Sequence, residues 1–84
     1  MTPEEAVAAV EATLDPATTR VDRVRARQDA ASYLLVVLDI SRGRGDGGPV
    51  PNGPRLVDKM SGTVTRLPVG EAVRRAETMS LVWP

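Results

Sequence analysis

The chain contains no cysteine, no histidine and no phenylalanine, and each absence closes off a kind of chemistry. Without cysteine there is no disulfide, no thiolate zinc site and no thiol nucleophile. Without histidine there is no imidazole near neutral pKa, so acid–base work would fall to carboxylates, Tyr33, serines or the single lysine, Lys59. No local spacing of these groups activates any of them, and the expectation is a protein that is not an enzyme and carries neither cofactor nor metal. Only Tyr33 and Trp83 are aromatic, so the interior must be built from Val, Leu and Ala. Such side chains bury little area apiece, at about 25 cal/mol per Å² of apolar surface. A homo-oligomer or a protein partner would add to that burial.

Long hydrophobic runs are missing too. The longest, Tyr33 to Leu38, is far too short to cross a bilayer, and no basic-flanked apolar leader opens the chain, so the expected location is cytoplasmic. Eleven basic residues balance eleven acidic ones, which leaves no overall field toward nucleic acid or an anionic membrane. Eighty-four residues suit a single small domain, here residues 1–84.

What is present is a sequence of short, well-marked elements. Thr2-Pro3-Glu4-Glu5 is a helix start: Thr2 can cap, Pro3 suits the first helical position and Glu5 can complete a capping box. Val7, Val10 and Leu14 then recur on one stripe until Asp15-Pro16, which predicts a helix over about 3–14. Residues 20–28, RVDRVRARQ, fit a helix through Val21 and Val24 but a strand through Arg23, Arg25 and Arg27; strand is preferred. ASYLLVVLDI, 31–40, reads as a strand buried on both faces, joined to the preceding one by a short polar turn near Asp29. Leu56-Val57-Asp58 and Thr63-Val64-Thr65 form a hairpin whose turn uses Gly62 at positive φ. Val69, Ala72, Val73 and Ala76 mark a second, short helix over about 69–77, and Met79 to Trp83 reads as a strand or a docked tail. The fold class expected is α+β, with both helices packed on an antiparallel sheet of four to five strands.

Between the central strand and the hairpin runs a Gly/Pro-rich loop, 41–54, SRGRGDGGPVPNGP. Its Gly43-Arg44-Gly45-Asp46-Gly47-Gly48 matches the letters of a dinucleotide fingerprint, but the prolines that follow forbid the helix the motif requires. Arg44-Gly45-Asp46 spells an integrin tripeptide by coincidence of a glycine-rich composition. Asp39, Ser41 and Asp46 lack the acidic ladder and terminal Glu of a calcium loop. Asp58 and Lys59 read as a solvated ion pair.

The chemically loaded surface is the arginine ladder. Period two places Arg23, Arg25 and Arg27 on one face of a strand, able to hold a protein partner with an acidic surface. The same ladder also reads as a solvated edge that charge protects from aggregation. Arg42, Arg44 and Asp46 of the loop complete the candidate protein-binding set. An alternative gives the glycine-rich loop an anion or small molecule to hold, and a third makes the chain a homodimer through sheet edges.

Asn52-Gly53-Pro54, then Leu56-Val57-Asp58-Lys59, then Ser61-Gly62-Thr63-Val64 resembles the GNGP-hydrophobic-VDK-x-(S/T)G-x-hydrophobic segment of the YrhB-like immunity proteins of bacterial toxin systems. The helix, the arginine-rich strand, the apolar strand and the loop follow in the family's order. Ser32-Tyr33-Leu34-Leu35 stands where the family carries a Gly-Trp-aromatic stretch. The resemblance implies a small cytoplasmic α+β protein that binds and neutralises a cognate toxin without chemistry of its own, the hairpin serving as scaffold.

Overall fold

A computed structural model describes residues 1–40 and 53–84. The described chain runs α1 (Pro3–Glu11), β1 (Thr19–Gln28), β2 (Ser32–Asp39), β3 (Arg55–Asp58), β4 (Val64–Arg66), α2 (Val69–Ala76) and β5 (Ser80–Leu81). The strands form one antiparallel sheet in the order β4-β3-β2-β1-β5, so the apolar β2 is central, as its composition requires.

The capping box closes as the sequence implies. Thr2 Oγ1 accepts from the Glu5 amide at 3.2 Å, and Glu5 Oε1 accepts from the Thr2 amide at 2.8 Å. The helix ends at Glu11 rather than residue 14. There the Thr13 hydroxyl donates to the Val10 carbonyl at 2.7 Å, and the Thr13 and Leu14 amides bond three residues back, tightening the last turn out of α geometry. Leu14 still packs against the core.

β2 sorts the interior into two sides. Tyr33, Leu35 and Val37 join Ala6, Val7 and Val10 of α1, together with Val21, Ala26 and Val57. Leu34 points the other way and joins Leu67, Ala72 and Met79 under α2. The two helices therefore cover opposite faces of the sheet. The α1 side holds most of the core, and the α2 side is much thinner.

The hairpin turns as expected at Gly62, φ 75°, whose amide donates to the Asp58 carbonyl at 2.8 Å. The expected Asp58–Lys59 ion pair gives way to other partners. Asp58 Oδ1 accepts from the Met60 and Ser61 amides, while Lys59 Nζ donates to Gln28 Oε1 at 3.0 Å and sits 4.6 Å from the Tyr33 ring centroid. The C-terminal stretch realises both of its alternatives in succession. β5 pairs with Arg27 and Gln28, and then Val82 and Trp83 dock on the α1-side core. Among the described residues, no helix is long and apolar enough to cross a membrane.

Candidate functional site

The feature that organises the surface is a break in β1. Asp22 pairs with Val36 and Arg27 with Leu34, so β1 spends five steps where β2 spends two. Three residues, Arg23, Val24 and Arg25, are extra. Asp22 holds the break closed from inside: its Oδ1 accepts from the Val24 amide at 3.0 Å and its Oδ2 lies 3.4 Å from Arg25 Nε. This is the local side-chain-to-backbone bond at which aspartate excels, and here it competes successfully with the ladder.

The expected one-faced arginine ladder is accordingly divided. Arg23 swings to the α1 side and lies 5.1 Å from the centroid of Trp83. Arg25 and Arg27 line a groove on the α2 side. Even these two differ. Arg27 Nη1 donates to the Met79 carbonyl at 3.1 Å and the Ala76 carbonyl at 3.4 Å, placing its cation at the negative end of α2. The Arg25 side chain is 60% exposed, and among the described residues Asp22 alone holds it.

The groove encloses about 440 Å³ between α2 and the β1 break, above a floor of Leu34 and Val36. The stripe read from the sequence, Val69, Ala72, Val73 and Ala76, forms one wall. Ala72 packs inward against Leu34, Leu67 and Met79, whereas Val69 and Val73 remain 51% and 57% exposed. Opposite them Val24, thrown outward by the extra residues, is 79% exposed, and Leu81 of β5 closes the end at 40%. Among the described residues, the lining carries two guanidiniums and no carboxylate. These apolar walls are what reasoning on the arginines missed; the α2 stripe with no second stripe to meet it was the available signal.

Three other charged positions are structural. Arg55 shares the α1 side with Val57, is nearly buried, and donates from Nη1 to the Gly53 carbonyl at 2.8 Å. Burial, and secondarily Arg66 opposite it, hold its guanidinium below the usual arginine range. Glu5 and Asp58 lie below the ordinary carboxylate range, Glu5 through the bonds it makes with Thr2 and Asp58 through the amides of Ser61 and Met60. The remaining candidates, Arg42, Arg44 and Asp46, lie outside the described residues, as does nearly all of the Gly/Pro-rich loop on which the anion-binding alternative depends.

Comparisons with protein-family models, with curated proteins and with solved structures returned no significant match to the chain.

Proposed function

We propose that this chain is a non-enzymatic, cytoplasmic protein-binding module of immunity-protein type, which neutralises a partner by covering it. The observation that carries this reading is a concentration of exposed apolar side chains. Among the described residues six large hydrophobics are exposed, and four of them, Val24, Val69, Val73 and Leu81, line the one groove that also holds Arg25 and Arg27. Scattered exposed aliphatics need no explanation, but a contiguous apolar patch with an arginine at its rim has the composition of a protein interface. The similarity of residues 52–64 to the YrhB-like segment supports the same reading and leaves β3 and β4 as scaffold.

The test is affinity capture from bacterial lysate with the wild-type chain beside Val73→Glu and Arg25→Glu, two surface changes that leave the core intact. The expected result is one stoichiometric protein retained by wild type and lost from both variants. A folded wild-type chain that retains no protein would refute the reading.

A further inference from the structure

Resting on that protein-binding reading, the groove's charge points to its occupant. We infer that the groove receives a short partner segment whose apolar side chains enter between α2 and the β1 break while a carboxylate of the same segment takes Arg25.

The argument begins with what each cation is already doing. Arg27 is committed to the carbonyls at the end of α2 and rigidifies the wall. Arg25 has a single described carboxylate contact, at 3.4 Å, with its guanidinium mostly in water. A surface pair of this kind contributes little and exchanges readily. Asp22 is also spoken for, because its other oxygen holds the Val24 amide. An incoming carboxylate can therefore take the open side of the Arg25 fork without dismantling the break.

The apolar half follows from shape. Val24 and Val73 line the groove together with Leu34 and Val36, and a volume of about 440 Å³ lies in the range that holds a few side chains of a ligand. A wholly apolar segment would leave Arg25 unmatched at the rim, and a basic one would meet two guanidiniums with no carboxylate among the described lining residues. An acidic amphipathic segment satisfies both walls. A membrane surface is the poorer fit, because the site is concave and the chain as a whole carries no net charge.

The probe is a displayed library of random 12-residue peptides, selected on the wild-type chain and resynthesised for titration. Selected sequences are expected to combine large aliphatic or aromatic residues with Asp or Glu. Their affinity should fall by about tenfold or more, roughly 1.4 kcal/mol, in Val73→Glu and in Arg25→Glu. Arg23→Glu, in the same break but turned toward Trp83, should leave affinity within about twofold, the exposed and screened position making its long-range effect small. Amide shifts on peptide addition should centre on 24–27 and 69–76. Peptides lacking acidic residues, acidic peptides indifferent to Arg25→Glu, shifts centred elsewhere, or binding to phosphatidylserine vesicles with no peptide selected would each overturn the assignment. If any of these occurs while affinity capture still returns a stoichiometric protein, the protein-binding reading stands and the groove is discarded. If capture also fails, both fall.

Discussion

Arg25 and Arg27 stand two residues apart on one strand and line one groove, yet removing their charges should cost very different amounts. In Arg27→Met the stem that packs beside α2 is kept and the guanidinium is lost. Two carbonyls, those of Ala76 and Met79, then lose a charged donor at 3.4 and 3.1 Å. A hydrogen bond from a charged group contributes about 1.5–3 kcal/mol, and the longer of these two is at the margin of useful geometry. A cation at a helix C-terminus adds about 0.3–1 kcal/mol. Because the site is only partly buried, the lower part of each range applies, and the expected loss is about 2 kcal/mol. For a domain of this size that lowers Tm by roughly 8–16 °C. Arg25→Met removes a 3.4 Å contact to Asp22 whose arginine end is mostly in water, while Asp22 keeps the Val24 amide, and should cost about 0.5 kcal/mol. Arg27→Lys keeps the charge but not the fork and should fall between the two. Urea and thermal unfolding of the three variants beside wild type measure the differences directly. If Arg27→Met and Arg25→Met agree within about 0.5 kcal/mol, the assignment of Arg27 as the tie between β1 and α2 is wrong.

Leu35→Ala, at a fully buried position of the α1-side core, should cost about 3 kcal/mol in chemical denaturation, a large share of what so small a domain possesses. Gly62→Ala should cost about 1–2 kcal/mol, because φ 75° disfavours any Cβ. The methyl group would also meet the Met1 Cε at 3.3 Å, a contact the flexible Met1 side chain can relieve, so Gly62→Asn should recover part of the loss. Acid stability follows from Glu5 and Asp58, whose folded pKa values are both lowered. Their contribution is complete above the unfolded carboxylate pKa, near about pH 4, and is lost as pH falls through the lower folded values. Tm should therefore be flat in these groups from neutral pH to about pH 5 and decline below about pH 4, with the decline shallower in Thr2→Ala and in Asp58→Asn.

Much of the architecture was legible because local and global preferences agree. Thr2 and Glu5 leave little doubt about where α1 starts, the run from Tyr33 to Leu38 can only be a strand with neighbours on both sides, and Gly62 marks the turn. Adjacency in sequence suggests Asp58 as the partner of Lys59, whereas successive residues at a strand end point apart and Lys59 reaches across to Gln28 and Tyr33. The arginine ladder failed for a reason that the sequence contains. In an unbroken strand Val21 would share its face with Arg23, Arg25 and Arg27, burying either the valine with three cations or none of them. Val21 and Ala26 are in fact buried on the same side although five residues apart, an odd separation that period two forbids. Asp22, a residue that favours local turns over strands, sits at the point where the conflict is resolved.

That resolution makes a deletion test possible. Removing Arg23, Val24 and Arg25 would join Asp22 to Ala26 and place Ala26 opposite Leu35, between the existing pairs Asp22–Val36 and Arg27–Leu34. Every residue on either side keeps its face: Val21 and Ala26 toward α1, Arg27 toward α2. The interactions given up, Arg23 with Trp83, Arg25 with Asp22 and the Val24 amide with Asp22 Oδ1, are each of about 1 kcal/mol, and a continuous ladder gains backbone pairing in return. The shortened chain should therefore fold cooperatively, with stability within about 1–2 kcal/mol of wild type by urea unfolding. It should also fail to bind any peptide selected on the groove, having lost Val24 and Arg25 together. Were the shortened chain to remain unfolded, the three residues would be part of the folding of β1 and not an insertion into it. A folded chain with undiminished peptide affinity would move the site away from the break altogether. Stability retained with binding lost would mean that the fold carries these three residues for the surface they present.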